Sequence, residues 1–229
     1  MKKEEIIKTI NDLTEEGNET WNHQFNFPHS IKTRDSDITS PGYNINKWKR
    51  LEPIFQSINP TGKTFLDIGC SDGFYAIEIA KMKAKHVHGT DLDPLRIKRA
   101  KLAKKVLKIN NVDFDTLNLY NTPVDKKYDV VIGLGLLHRI PDMMKCLTKM
   151  CDIGKTVIVE FKTYKSSLDA VYDHGGYSKS NSYNKLYKTP SILYIKNRFK
   201  ELGHTKIEVY EDELSHLNYP RTIIVASKE

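Results

Sequence analysis

The chain reads as an α/β protein with a doubly wound, mainly parallel seven-stranded sheet and an antiparallel hairpin at its edge. Three observations carry this. Short apolar runs alternate with amphipathic stretches from residue 64 to residue 161, the pattern of strands joined by crossover helices. The first two runs each end in an acid, Asp67 (one residue before the end) and Asp91. The last two runs, 205–210 and 221–226, have no helical stretch between them, which suits an antiparallel pair.

Taken in order, residues 1–20 carry an amphipathic helical pattern that turns polar at its end. Residues 21–46 are aromatic and turn-rich with no sustained period, and residues 47–57 form a short helix. A long irregular stretch in a compact protein is usually functional or disordered, and these aromatics point to a packed cover. Strand 64–68, helix 74–82, strand 86–90, helix 94–108 and strand 112–117 follow. Strand 128–132, helix 141–151 and strand 156–161 come next, then a helix capped by Thr189-Pro190 and ending near Gly203. The division expected is a cover over 1–58 and a main domain over 59–229, with an insertion at 162–188.

The segment Thr64-Phe-Leu-Asp-Ile-Gly-Cys-Ser-Asp-Gly-Phe-Tyr75 is the richest in chemistry. A buried strand runs into a turn of the form Gly69-x-x-x-Gly73 and then directly into a helix. Glycines there permit φ > 0 and close approach of a ligand to the main chain, while the helix start offers free N–H groups. A carboxylate at Asp67 gives a phosphate-binding loop nothing. It suits a ligand with positive charge, such as the amino group and sulfonium of S-adenosylmethionine. Asp91 ends the second strand about 20 residues on, where a doubly wound sheet places the acid that binds a ribose hydroxyl pair. Its plainer role is a loop acid beside the helix start at Asp93-Pro94.

Composition narrows the class. With 229 residues there is room for one α/β domain with additions. No run of about 18 apolar residues is present, and the N-terminal Met-Lys-Lys-Glu-Glu-Ile-Ile-Lys lacks a signal-peptide core. Cys70, Cys146 and Cys151 have no metal-ligand spacing, so no metal is expected and a reducing cytoplasm is the simplest setting. The net charge is +7. Residues 162–206 hold nine Lys/Arg against three Asp/Glu, and residues 81–108 hold ten against two. The second group reads as the solvated face of a helix.

The 64–75 segment resembles motif I of the class I S-adenosylmethionine-dependent methyltransferases, with Ser71 in place of the middle glycine. That resemblance covers about residues 60–229. It implies S-adenosylmethionine as cofactor, held by Asp67, Gly69, Cys70, Ser71, Gly73, Asp91 and Leu92. It further implies adenine contacts from Asn118 and Leu119, and a methionine-side approach at Gly133 and Leu134. Asn118 is nearly as well read as a plain turn. The stretch Gly133-Leu-Gly-Leu-Leu-His-Arg139 lies where the superfamily lines the methyl group and its acceptor. His138 is there either a general base or a cap of the helix beginning near Pro141. Arg139 either orients an anionic substrate or pairs with a surface acid.

A closer resemblance extends outside this core. Trp21-x-His23, Thr39-Ser-Pro-Gly-Tyr43, Lys47-Trp48-x-Arg50, Leu136-Leu-His-Arg139 and Pro220-Arg221 are similar to the tRNA wobble-uridine carboxymethyl- and methyltransferases. In the tRNA-modifying members, cations before the first strand and an Arg in the last strand bind the carboxylate of carboxy-S-adenosylmethionine. Lys47 and Arg221 match two of these positions, and Lys32 is a candidate third, with surface charge as the alternative. The tyrosine that precedes the His-Arg pair in those members is Leu137 here, which favours ordinary methyl transfer.

Residues 162–188 interleave tyrosines, Tyr177 among them, with lysines. They suit base stacking beside phosphates, or a lid over a sugar or nucleotide-linked metabolite. The expectation is therefore O-methylation of a small polar or anionic acceptor. The alternatives are tRNA wobble-uridine modification, or a nucleic-acid-binding module on an inactive scaffold. A small-molecule acceptor is the expected partner, tRNA the second, and a membrane is not expected.

Overall fold

The computed structural model describes residues 1–34, 44–119, 121–122, 124–164, 166–174, 187–211 and 220–229. The chain forms two compact units, Met1–Asn118 and Leu119–Glu229.

The first unit opens with α1 (Lys3–Gly17), which buries Ile6, Ile10 and Leu13 on one stripe and carries Glu4 and Glu5 in its first turn, where the helix dipole favours them. The next stretch, expected to be irregular, contains a small antiparallel pair, β1 (Asn26–Phe27) and β2 (Ile31–Lys32). Helix α2 (Asn44–Ile58) starts three residues earlier than the pattern suggested. Its first residue is tied to a distant segment: the Asn44 amide accepts from Gln24 N at 3.0 Å and donates to Gln24 O at 3.1 Å, pairing with main chain as a strand would. The cover expected over 1–58 falls within this unit, and α1 packs on α4 while α2 packs on α3.

β3 (Thr64–Ile68), α3 (Phe74–Lys81), β4 (His86–Asp91), α4 (Pro94–Leu107) and β5 (Val112–Thr116) complete the unit. The three strands pair in parallel, β3 to β4 and β4 to β5. From Phe65 to Ile68, β3 is buried without alternation, as a strand covered on both faces must be.

The second unit begins with β6 (Tyr128–Leu134), a 3-10 turn at Leu137–Arg139, α5 (Met143–Ile153) and β7 (Gly154–Lys162). β6 continues through Gly133 and Leu134, two residues past the expected end. β8 (Val171–His174) and β9 (Tyr187–Pro190) form an antiparallel pair, the second strand running past residue 188. Then come α6 (Ile192–Glu201), β10 (Lys206–Glu211) and β11 (Arg221–Ser227). The cap of α6 is Ser191, whose hydroxyl accepts from Tyr194 N at 3.0 Å, not Thr189-Pro190. Pro190 instead closes β9. β7 pairs in parallel with β6 and antiparallel with β11, and β11 antiparallel with β10.

Strand order in the seven-stranded sheet is β10-β11-β7-β6-β3-β4-β5, which gives the doubly wound, mainly parallel arrangement with its antiparallel edge. Among the described residues no helix is long and apolar enough to cross a membrane.

Candidate functional site

In the first unit the glycine turn is built as its sequence requires. Gly69, Ser71 and Gly73 have φ of 74°, 52° and 83°. Only Ser71 pays a left-handed cost there, because it alone has a Cβ. Its hydroxyl lies 2.9 Å from the Asn22 side-chain amide and 3.0 Å from Arg96 Nη1, which ties the turn to two neighbouring segments. Gly69 N and Cys70 N both donate to Thr90 O, at 2.7 and 2.9 Å, holding the turn on the end of β4. Gly73 is fixed by packing as well as by φ, since a Cβ would lie 2.7 Å from the Phe114 ring.

Asp67 is 1 % exposed, and its Oδ2 has no hydrogen-bond partner. Burial, with Asp91 nearby, raises its pKa to about 8, partly offset by the Lys47 ammonium. A buried carboxylate oxygen without a donor is costly unless something supplies one. Asp91 is better provided: Oδ2 accepts from Ser71 N at 2.8 Å and Oδ1 from Asp93 N at 3.0 Å. Each oxygen keeps a further lone pair. Next to it, Leu92 is 48 % exposed, an apolar surface available beside the acid. Cys70 is buried, and desolvation together with Asp67 and Asp91 raises its thiol pKa, so it packs rather than reacts.

His23 and Lys47, one of the candidate cations, pack beside the same turn. His23 is buried; its Nδ1 accepts from Phe74 N at 3.4 Å, and its ring meets Tyr75 edge-on. Desolvation, reinforced by Lys47, Arg96 and Arg34, lowers its pKa to about 3, so it is neutral. Lys47 is also buried, with Nζ 5.5 Å from the Tyr75 ring centre. Lys32 is exposed on β2.

Arg99 corrects the reading of 81–108 as a solvated face. Its side chain is fully buried over Trp21 and donates to the carbonyls of Leu13 and Glu19, each at 3.0 Å. The signal was present in the sequence, because Arg99 falls on the same stripe as Ala103 and Val106. Charge counting hid it.

The second unit gathers the other candidates at the ends of its strands. His138 is buried in the 3-10 turn, and its Nδ1 accepts from Lys162 N at 3.3 Å. It does not cap α5, whose cap is Asp142, accepting from Lys145 N at 2.9 Å. Arg139 is exposed. Arg221 Nη1 reaches both carboxylate oxygens of the fully buried Glu160, at 2.7 and 2.9 Å. Gly133 has its own packing reason to lack a side chain, since a Cβ would lie 3.0 Å from Met150 Cε. Leu119 O accepts from Lys149 Nζ, and Asn118 closes the first unit. Tyr177 and the Thr39–Tyr43 motif lie outside the described residues.

A parallel sheet whose first strand meets a glycine turn beside two acids is the arrangement of the class I S-adenosylmethionine-dependent methyltransferases. The methyltransferase-domain family model matches residues 60–205, and the chain belongs to that family. A tRNA U34 carboxymethyltransferase of Nautilia profundicola is 29 % identical over 134 residues, 57 % of this chain and 43 % of that protein. One from Sulfurovum is 25 % identical over 196 residues, 83 % of this chain and 63 % of that protein. The first curated relatives are thus matched over only about half their own length, 43, 58 and 55 %. Among solved structures, the N-terminal domain of EvdMO1, crystallised with SAH (S-adenosylhomocysteine) and D-fucose, superposes with a TM-score of 0.78. That match has 17 % identity and covers 100 % of this chain and 97 % of the other, so it establishes the fold.

Proposed function

We propose that this chain transfers the methyl group of S-adenosylmethionine to an oxygen of a small polar acceptor, a sugar or a nucleotide-linked metabolite. The observation that carries the cofactor is the buried, donor-less Oδ2 of Asp67 beside the Gly69–Gly73 turn. Ionised Asp67 would hold the cofactor's ammonium group, and Asp91 its ribose hydroxyls. Once bound, the sulfonium supplies an activated methyl carbon. The chain's task is to orient an acceptor oxygen and exclude water. As the C–O bond forms, the S–C electron pair goes to sulfur and the acceptor's hydroxyl proton leaves to a base.

Support for a small acceptor comes from the EvdMO1 domain, crystallised with D-fucose, whose fold spans this whole chain. A second reading, tRNA wobble-uridine modification, is favoured by the tRNA U34 carboxymethyltransferases among the relatives. Leu137, where those enzymes' family carries a tyrosine, favours the unmodified donor. So does the pairing of Arg221 with Glu160.

Methyl-labelled S-adenosylmethionine offered with D-fucose, sugar nucleotides and total tRNA separates the readings. Label entering the sugars supports the proposal. Label entering tRNA, together with submicromolar, sequence-selective tRNA binding at physiological salt, overturns it. Competition between S-adenosylmethionine and its carboxylated form tests the donor. Tenfold preference for the carboxylated form would reverse that part.

A further inference from the structure

His138 is 2 % exposed and sits at the end of the second unit's β6 turn. Its Nδ1 accepts from the main-chain N–H of Lys162 at 3.3 Å. A ring nitrogen that accepts a hydrogen bond carries no proton, so a neutral imidazole must hold its proton on Nε2. That Nε2 is buried and has no hydrogen-bond partner. Native proteins leave few buried donors unpaired, and each one calls for an explanation.

The charges nearby hold the ring in this state. Desolvation first, then Arg221, Arg139 and Lys162, disfavour a second proton, with Glu160 alone opposing. Glu160 is itself committed to Arg221 through both oxygens. Neither nitrogen is therefore free to take a proton: one is engaged with main chain and the other already bears one.

We infer that His138 is a fixed hydrogen-bond donor that holds an oxygen of the methyl acceptor through Nε2–H, and is not the base that deprotonates it. This rests on the proposed methyl transfer and narrows its acceptor. The acceptor needs at least two oxygens, one held at Nε2–H and another methylated, which describes a polyol or sugar better than a lone hydroxyl. The proton released in the reaction leaves to solvent or to a group other than His138.

Two measurements on the full chain test this. In ¹⁵N-histidine spectra, the His138 signals should show a protonated Nε2 and a bare Nδ1, unchanged from about pH 5.5 to about 8.5. A proton on Nδ1, or titration in that range, overturns the inference whatever reaction the enzyme performs. The second arm uses two variants. His138→Gln keeps an N–H near the Nε2 position and cannot act as a base, whereas His138→Asn keeps an acceptor near Nδ1 and loses the donor.

With D-fucose and UDP-glucose as acceptor probes, His138→Gln should keep kcat within about fivefold. His138→Asn should raise KM for the acceptor by about tenfold, the worth of one hydrogen bond. Equal collapse of kcat in both, with the fold intact by circular dichroism, would make His138 the base. If neither sugar takes label, the proposed acceptor class fails while the spectra still decide the tautomer.

Discussion

A single oxygen of Asp72, Oδ2, accepts the main-chain N–H groups of both Asn22 and His23, at 2.6 and 3.0 Å. The carboxylate is fully buried and stands inside the glycine turn, 3.9 Å from the Arg99 guanidinium. The turn and the N-terminal segment are therefore one hydrogen-bonded object. Anything that orders the one orders the other.

The expected result of Asp72→Ala follows from those bonds. Hydrogen bonds to a charged group contribute about 1.5–3 kcal/mol each, so loss of the pair should cost roughly 3 kcal/mol. The Asn22 and His23 amides should exchange hydrogen faster well before global unfolding. Unchanged exchange at both would show that Arg99 and Trp21 hold the segment without help.

Asp67 gives a pH dependence with a definite sign. Its folded pKa, raised by burial to about 8, lies above the ordinary carboxylate value of 3.8. Between those values the unfolded chain has released a proton that the folded chain retains, so ligand-free stability should decline as pH rises through that window. Asp67→Asn should remove this slope. Cofactor binding should also release a proton near neutral pH, because the ammonium group favours the ionised acid. Calorimetry of SAH binding in buffers of different ionisation enthalpy reads that proton directly, and a buffer-independent enthalpy would refute the assignment.

For Asp91 the expectation concerns affinity. Asp91→Ala removes acceptors for the ribose hydroxyls and also frees Ser71 N, so SAH should bind more weakly by about 1–3 kcal/mol. Titration calorimetry is the measurement, with unaltered affinity as the contrary outcome.

Gly89 and Phe114 make a packing prediction independent of any ligand. They are register partners on β4 and β5, and a Cβ on Gly89 would lie 2.5 Å from the Phe114 ring. Gly89→Ala should destabilise by about 1–3 kcal/mol through overpacking. Adding Phe114→Leu should recover part of that loss, so the pair will be non-additive in a double-mutant cycle. Strict additivity would mean that the ring is not the obstacle.

The parallel strands were legible because each is a short apolar run bounded by turn residues, and the cofactor roles proposed for Asp67, Gly69 and Asp91 rest on type and spacing. Ends were harder. Gly133-Leu134 reads as a turn because glycine has no strand preference, yet neighbouring pairing carries β6 through it. The helix after Pro190 was misplaced because Thr189-Pro190 imitates a cap, while the capping hydroxyl belongs to Ser191. His138 was visible as a residue but not as a donor, since a tautomer depends on a partner 24 positions away. Asp72 was missed for the same reason, since the amides it accepts from lie about fifty residues away, whereas Arg99 was hidden among the other cations of its helix.

The Glu160–Arg221 pair has a consequence for ligand choice. An arginine that already grips an anion is an occupied receptor, and Glu160 is its tethered resident ligand, present at a concentration no free metabolite matches. A carboxylated visitor would have to compete with it, and separating a buried carboxylate from its guanidinium costs about 3–5 kcal/mol. The protein carries the competitor in its own sequence, sixty-one residues from the arginine it occupies.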